Sequence, residues 1–381
     1  MALTLSGNSG NTTLDSSNGI TFSDSSNQQY AASPYVLKNR IINGDMRIDQ
    51  RNAGASVSVT TSSATYTLDR WDCRGETSQG VYTVQQSSTA PTGFNKSLLV
   101  TVTTADSSLG ATDNYYLRQA IEGFNIADLG WGAASASTVT LSFWVRSSLT
   151  GTFGGSITNG ATATRAYGFT YAITAANTWE QKTITIAGDT TGTWNTDNSG
   201  AMAINFSLGA NADRQTTANV WSANSTASGA IGEGSIIGTN GATLYITGVQ
   251  LEVGSTATPF ERRLYGTELA LCQRYLPSCP TTSTVFGSGM VMSTTTGRIT
   301  VPFSVTTRTA PTGVTVISPT LFGLVSASVG GIAATGVAFE GADVNGAYVL
   351  VTVGSASFVA NSGVQAYKNS PAQLLFTGCE I

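Results

Sequence analysis

The sequence contains no histidine among its 381 residues. This absence excludes Ser-His-Asp and Cys-His nucleophile systems, zinc sites with imidazole ligands, and acid-base catalysis by imidazole. Carboxylate-pair chemistry such as glycoside hydrolysis remains open, but no spacing singles out a pair among the 22 acidic residues. The sequence therefore predicts no catalytic residue and no enzyme.

Charged residues are scarce, at 10% of the chain, and the net charge is −4. The longest basic run is Arg262-Arg263, so we expect no nucleic-acid partner, because phosphate recognition needs clustered Lys and Arg. No segment has the roughly 20 apolar residues of a membrane-spanning helix, so no membrane insertion is expected. The first ten residues lack the basic and apolar regions of a secretory signal, which predicts synthesis in a cytoplasm without export.

Cysteine is also rare, with only Cys73, Cys272, Cys279 and Cys379 in the chain. Their spacing matches no metal or redox motif, and no histidine is present to complete one. We expect four buried free thiols, no metal and no cofactor.

What the chain has in quantity is glycine, at 42 residues, together with 41% hydrophobic and 9% aromatic residues. Disordered chains combine high charge with few apolar residues, which is the opposite balance. Many short β-strands joined by glycine-containing and polar turns fit this composition.

Strand patterns recur every 10 to 20 residues between positions 39 and 265. In residues 139–146, apolar and polar side chains alternate with a period of two, and residues 202–208 repeat the pattern. In the segment that ends near Val253 the phase changes at Gly248, which predicts a β-bulge. No period of 20 to 50 residues recurs, so two antiparallel sheets in a jelly roll fit best.

The sequence thus predicts an all-β chain with one short helix, over residues 264–276, where Leu264, Glu268, Leu271, Cys272 and Tyr275 share a face and Pro277 follows. The predicted parts are an extended N-terminal arm (1–38), an antiparallel jelly-roll β-sandwich (39–265), a connecting helix and linker (266–281), and a second small C-terminal β-sandwich (282–381).

Three steps near the start of the jelly roll form a recognisable pattern: Ile42-Asn43-Gly44, Ile48-Asp49-Gln50-Arg51 and Tyr66-Thr67-Leu68-Asp69-Arg70-Trp71. They resemble the opening of a module in tail-fibre and other virion-surface proteins of tailed bacteriophages. Residues 245–254 and 258–262 resemble the end of carbohydrate-binding-type jelly rolls, so the resemblance covers residues 40–263. Residues 19–28 resemble a further element of phage tail-fibre sequences.

The resemblance implies a structural or adhesive virion protein, made in the host cytoplasm. A tail fibre that contacts a host-surface glycan or protein by multivalent binding is the leading interpretation. A capsid decoration protein, either a cement or a head-fibre protein, is the alternative, favoured because the element at residues 19–28 leaves no room for a shaft before it. A polysaccharide depolymerase tailspike is the third interpretation.

The C-terminal region, which has few charged residues, predicts self-association, as a homotrimer. The arm is expected to dock on phage tail or capsid proteins through apolar side chains spaced along an extended strand: Ile20, Phe22, Tyr30 and Tyr35.

Two tryptophans in loop-like stretches, Trp194 and Trp221, are candidate sugar-binding residues, together with the polar neighbours Asn195 and Asp197. Such tryptophans also commonly anchor a loop onto a sandwich, and that alternative stays open.

Two charged groups are interpreted structurally. Asp69 and Arg70 are expected to form a buried or half-buried ion pair at a turn. Asp45, Arg47, Asp49 and Arg51 are expected to form a salt-bridged ladder along one face of a strand.

Overall fold

The protein is described by a computed structural model. It describes residues 20–21, 27–28, 37–75, 79–160, 165–224, 226–279 and 282–381. The chain divides into two compact units, residues 1–38 and 39–381. In the first, strands β1 (Ile20–Thr21) and β2 (Asn27–Gln28) pair antiparallel, so the predicted docking residue Ile20 lies in a strand. The other predicted docking residues, Phe22, Tyr30 and Tyr35, lie outside the described residues.

The second unit begins with a strand-rich region. Its strands in chain order are β3 (Val57–Val59), β4 (Thr65–Tyr66), β5 (Asp72–Arg74), β6 (Val81–Ser87), β7 (Ser97–Thr104), β8 (Asn114–Glu122), β9 (Val139–Ser147), β10 (Gly151–Asn159), β11 (Ala166–Ile173), β12 (Glu180–Ile186), β13 (Gly200–Ala210), β14 (Gln215–Thr216), β15 (Trp221–Ser222), β16 (Gly229–Ala230) and β17 (Thr243–Val253). Short 3₁₀ turns span Gly123–Asn125, Ala127–Leu129 and Ala212–Arg214.

Within the described residues these strands form two main antiparallel sheets. One has seven strands in the order β15-β11-β10-β13-β8-β5-β4, and the other has six in the order β12-β9-β17-β7-β6-β3. A single apolar core lies between the sheets and includes Trp71, Phe143 and Phe206, each fully buried. Helix accounts for 6% of the described residues and strand for 45%, so the predicted all-β jelly-roll class is confirmed.

The alternation predicted for residues 139–146 appears in β9, where Leu141, Phe143 and Val145 all belong to the core. The predicted bulge at Gly248 is confirmed. The register between β17 and β9 shifts between Thr247 and Gln250, and Gly248 has a φ of 62°. A Cβ at Gly248 would also lie 2.7 Å from the Phe94 ring, so both conformation and space require glycine here.

Helix α1 (Tyr265–Gln273) follows the sandwich and is shorter than the predicted 264–276. Cys272 and Tyr275 are buried as expected, but Leu264 is 81% exposed. Leu264 takes an extended conformation just before the helix begins, so it cannot lie on the helical face assigned to it. Among the described residues, no helix has the length and apolar character needed to cross a membrane.

The C-terminal region contains β18 (Thr284–Ser293), β19 (Thr296–Pro302), β20 (Gly313–Ile317), β21 (Phe322–Val325), β22 (Ile332–Ala342), β23 (Gly346–Val353), β24 (Gly363–Lys368) and β25 (Gln373–Thr377), with a 3₁₀ turn at Pro319–Leu321. The region is all β, as predicted, but six of its strands close into a barrel where the sequence predicted a sandwich. Closure occurs because β24 pairs with β18 on one side and β21 on the other. Strands β20 and β25 form a separate ribbon.

A polar seam joins the barrel region to the jelly roll. The Glu122 carboxylate accepts hydrogen bonds from Arg274 Nε at 2.9 Å and from the Tyr275 hydroxyl at 2.6 Å. The Glu380 carboxylate forms ion pairs with Arg51 and Arg70. These carboxylates are buried or nearly so and each has two partners, so neither carboxylate of the seam is left unpaired.

The three steps of the recognised pattern meet at Asn43, which is fully buried and has a φ of 57°. Its Nδ2 donates to the carbonyl oxygens of Ile48 and Asp69 at 2.8 and 3.0 Å, and its Oδ1 accepts from the Ile48 amide. Trp71 Nε1 donates to the Asn43 carbonyl oxygen, and the Glu268 carboxylate of α1 accepts from the Asn43 amide. The pattern therefore encodes a structural junction between the start of the jelly roll, the turn at residues 69–71 and helix α1.

Asp69 and Arg70 are both buried, but they do not pair with each other. Asp69 accepts hydrogen bonds from the amide and side chain of Gln50, whereas Arg70 pairs with Glu380 and lies 3.6 Å from the centroid of the Tyr275 ring. Arg70 has a φ of 71°, so the backbone turns at this residue and the two neighbouring side chains meet different partners.

The predicted charge ladder is wrong, because residues 45–51 are not a strand. Asp45 pairs with Arg47, whereas Asp49 accepts hydrogen bonds from the amides of Asn52 and Gly54 and so closes a turn.

Candidate functional site

A cleft of about 410 Å³ lies on the outer face of the seven-stranded sheet, the face turned away from the core. Its lining is polar. The lining residues are Ser62, Arg74, Gly75, Thr112, Asn114, Tyr116, Arg118, Thr158, Asn205, Arg214, Thr226, Ala227 and Ser228.

The alternation of side chains along β8 determines which of them face the cleft. Tyr115 and Leu117 are buried in the core, so Asn114, Tyr116 and Arg118 face outward. The register then aligns polar neighbours across the sheet. In one row, Arg118 of β8 lies between Asp72 of β5 and Asn205 of β13, which in turn pairs with Ser156 of β10. In the next row, Tyr116 lies between Arg74 and Ser207.

One buried carboxylate orients two of the arginines. Asp72 is 1% exposed, and its oxygens accept from Arg118 Nε at 2.8 Å and Arg74 Nε at 3.3 Å. The Nη groups of both arginines donate no hydrogen bond to any residue in the described part of the chain. Each guanidinium is therefore fixed at its Nε and keeps its terminal donors available.

One wall of the cleft is formed by segments 212–224 and 226–230. Arg214 Nε donates to the Thr112 carbonyl oxygen at 2.9 Å, and the Ser228 amide donates to the Arg214 carbonyl oxygen. Ser156 Oγ, on the sheet, donates to the Ala227 carbonyl oxygen at 2.6 Å. These bonds hold the wall against the strands.

Two polar atoms of the cleft have unused hydrogen-bonding capacity. Ser228 is 2% exposed, and its Oγ is buried without a hydrogen-bond partner among the described residues. Asn205 is 4% exposed; its Nδ2 donates to Ser156 Oγ at 3.0 Å, while its Oδ1 accepts from no described side chain. Buried polar groups normally have partners, so these atoms are suited to a polar ligand.

The electrostatics centre on Tyr116. Burial raises the pKa of its phenol, while Arg74, Arg118 and Arg214 each act to lower that pKa. All three guanidinium groups are therefore close enough to influence one hydroxyl.

Glu233 holds the same wall in place from outside the cleft lining. Its carboxylate accepts from Ser207 Oγ and from the Ala230 amide. A Cβ at Gly154 or Gly229 would lie within 2.5 Å of its carboxylate oxygens, so these two glycines create the space that the side chain occupies. Burial raises the pKa of Glu233 to about 7, against the opposing effect of its hydrogen bonds.

The predicted sugar-binding tryptophans lie elsewhere, in an aromatic cluster with Trp131. Ring centroids are 4.7 Å apart for Trp131 and Trp194, 5.3 Å for Trp131 and Trp221, and 5.6 Å for Trp194 and Trp221, all edge to face. Trp194 is 8% exposed, and Trp221 is half-buried with its Nε1 donating to the Ala187 carbonyl oxygen. In this geometry the rings pack loops together, and neither residue lines the cleft.

Their predicted polar neighbours also lie outside the cleft. Asn195 Nδ2 donates to the Gly200 carbonyl oxygen at 2.9 Å. Asp197 accepts hydrogen bonds from the side chain and amide of Ser199, which lower its pKa. Within the described ranges, no group of three or more Cys, Asp or Glu residues is placed to hold a metal ion.

The cleft combines an aromatic ring, guanidinium donors, an amide and hydroxyl groups, which is the set that binds sugar rings and their hydroxyls. The sequence analysis does not identify this cleft, although one signal is present: Arg118 stands at the centre of strand β8, NYYLRQAIE, in a chain with only 18 basic residues. Arg74 is brought next to Arg118 by the pairing of β5 with β8, and Arg214 by a segment far away in sequence.

No protein-family model matches the sequence, and no curated protein matches it either. Solved structures similar to it include carbohydrate-binding modules and a phage tailspike domain. The enzymatically active domain of tailspike protein 4 of bacteriophage CBA120 is 14% identical with a TM-score of 0.30. That match covers 57% of this chain and 21% of the tailspike chain, so this chain spans about a fifth of its length.

A putative sugar-binding protein from Bacteroides thetaiotaomicron is 12% identical with a TM-score of 0.32, over 57% of this chain and 100% of that one. The family 11 carbohydrate-binding module from Clostridium thermocellum, solved with a mixed-linked tetrasaccharide, is 12% identical with a TM-score of 0.27, over 54% of this chain and 100% of that one.

Proposed function

We propose that this chain is an adhesive protein that binds a glycan in the cleft on the outer face of its seven-stranded sheet. One observation carries the proposal: Tyr116 lies among the guanidinium groups of Arg74 and Arg118 and near the open acceptor of Asn205. A tyrosine ring packs against a pyranose ring, and the surrounding donors and acceptors bind its hydroxyls.

The proposed activity is binding and not hydrolysis. Glycoside hydrolysis generally uses two carboxylic acids on either side of the scissile bond. Among the described residues, no Asp or Glu lines the cleft, and the nearby Asp72 carboxylate is held by two arginines.

We expect the Tyr116→Ala variant to bind its glycan at least about tenfold more weakly than the wild type, a loss of about 1.4 kcal/mol. The substitution removes the aromatic surface of the cleft while leaving the β8 backbone in place. Array screening of bacterial surface polysaccharides identifies the ligand, and titration calorimetry then measures both affinities.

The matched control is Tyr348→Ala, which removes a 41% exposed tyrosine from the barrel and leaves the cleft intact. It should bind like the wild type. Equal binding by the Tyr116→Ala variant, or no binding of any glycan by the wild type, contradicts the proposed function.

We further propose that the protein is a virion-surface protein of a tailed bacteriophage, made in the host cytoplasm and acting as a tail fibre. The sequence resemblance over residues 40–263 supports this proposal. Adhesion through a single binding site is weak, and a homotrimer would multiply it. Exposed apolar side chains on β18, including Met290 at 45% and Met292 at 49%, are suited to contact between copies.

Deleting residues 1–30 should leave the melting temperature and the trimer unchanged while abolishing incorporation into virions, because the arm is proposed to attach the protein and not to fold it. Calorimetry and sedimentation test the first part, and immunogold labelling of particles tests the second. Misfolding of the truncated protein, or normal incorporation, contradicts the role of the arm. If the gold label on wild-type virions lies over the head and not over the tail, capsid decoration is favoured.

A further inference from the structure

The cleft concentrates positive charge in a chain that has little of it. The whole sequence has 18 basic residues and a net charge of −4, yet Arg74, Arg118 and Arg214 line one cavity. Asp72 is the carboxylate that contacts two of them, and Arg214 forms no ion pair with any described residue. Two positive charges are therefore left without a partner.

The free ends of these arginines are donors of the kind that bind anions. Each Nε is already used, by Asp72 for Arg74 and Arg118 and by the Thr112 carbonyl oxygen for Arg214. No Nη group of the three donates to a residue in the described ranges, so each guanidinium presents its Nη groups unpaired. A carboxylate or phosphate oxygen pair matches this geometry, because guanidinium groups bind both in bidentate fashion.

A second observation also points to a ligand. The Ser228 Oγ lines the same cavity, is buried, and has no hydrogen-bond partner among the described residues. A hydroxyl with no partner in a half-enclosed site is satisfied when a ligand acceptor or hydroxyl occupies the space beside it.

The nearby carboxyl groups do not cancel this charge. Glu233 faces Ser207 and the Ala230 amide behind the wall, and it does not line the cleft. Asp113 accepts from the Gly110 amide and from Gln79, so it too is held away by its own partners.

We propose that the glycan bound in this cleft is acidic, with a carboxylate or phosphate group that binds between Arg74, Arg118 and Arg214. This inference rests on the proposed glycan-binding function and names its ligand class. Tyr116 packs against the sugar ring, and the three arginines bind the acidic group that distinguishes this glycan from a neutral one. A neutral glycan of the same shape leaves two guanidinium charges without partners and binds more weakly.

The test compares each acidic polysaccharide with its own neutral form. Full-length protein is titrated with polygalacturonate and its carboxyl-reduced form, and with a phosphomannan and its dephosphorylated form. We expect at least about tenfold tighter binding to one acidic polymer than to its neutral form, with the affinity falling as salt is raised. The polymer that binds identifies carboxylate or phosphate as the recognised group.

Arg214→Gln is the informative variant, because Arg214 has no carboxylate partner to leave unpaired. The ratio of its affinity for the acidic polymer to its affinity for the neutral form should fall at least about fivefold from the wild-type ratio. The control Arg298→Gln changes an arginine that pairs with Glu340 on the barrel, and it should keep the full preference.

The outcomes separate the two proposals. Equal affinity for the acidic and neutral forms overturns the acidic ligand and leaves glycan binding intact. If the protein binds none of these polymers and no polysaccharide on the array, glycan binding itself is overturned. Binding of free inorganic phosphate or acetate as tightly as the polymers shows an anion site and overturns the saccharide.

Discussion

Asn43→Ala should lower the free energy of unfolding by about 5 kcal/mol, because it leaves two buried backbone groups without partners at about 1–3 kcal/mol each and adds about 1 kcal/mol of backbone strain. Those groups are the amide of Ile48 and the carbonyl of Asp69, both bonded by the Asn43 side chain, whereas the Ile48 carbonyl keeps the Asp69 amide as a donor. Alanine also tolerates the positive φ of 57° less well than asparagine. Denaturant unfolding measures the loss, and the melting temperature should fall by roughly 7 °C.

Two variants separate these effects. Asn43→Gly relieves the backbone strain while losing the same hydrogen bonds, so it should recover only about 1 kcal/mol. Asn219→Ala changes an exposed asparagine with a similar φ of 63° and should cost no more than about 1 kcal/mol. A loss at Asn43 no larger than the loss at Asn219 would show that the buried junction contributes nothing beyond backbone strain.

Glu233→Gln should stabilise the protein at pH 8 by up to about 3 kcal/mol and leave it nearly unchanged at pH 4. Burial raises the pKa of Glu233 to about 7, so the folded protein holds its proton more tightly than the unfolded chain does. The stabilising contribution of this group is full below pH 4.5 and is lost as the pH rises through about 7. Glutamine remains neutral at every pH and can bond both Ser207 and the Ala230 amide.

Unfolding curves of wild type and variant at pH 4, 6 and 8 test this expectation. Glu340→Gln is the control, since Glu340 pairs with Arg298 on the barrel surface and should shift stability by no more than about 0.5 kcal/mol at any of these pH values. A constant difference between wild type and Glu233→Gln from pH 4 to pH 8 would mean that Glu233 does not titrate on unfolding.

Local patterns predict much of the fold. The period of two in residues 139–146 and the change of phase at Gly248 both reflect short-range rules, because alternate strand residues face opposite sides of a sheet. The barrel was not predictable in the same way. Its closure depends on β24 reaching both β18 and β21, and these pairings join residues far apart in sequence.

The candidate site was harder to predict for a related reason. Arg74, Arg118 and Arg214 are separated by 44 and 96 positions, and no local pattern marks them as neighbours. The tryptophans were prominent because loop tryptophans are rare, yet three of them pack edge to face in the cluster of Trp131, Trp194 and Trp221. Binding residues on a sheet face become visible only when the strand order is known.

The ion pairs in the seam between the jelly roll and the barrel limit which segments can be exchanged between related chains. Glu380, near the end of the sequence, is the partner of Arg51 and Arg70, and Glu122 of the jelly roll is the partner of Arg274 and Tyr275. A chimera that replaces everything after α1 therefore leaves the nearly buried guanidinium of Arg70 without its carboxylate. Recombination between related chains should succeed when both halves of these pairs are inherited together, so residues 51, 70 and 380 form one unit of exchange despite their separation in sequence.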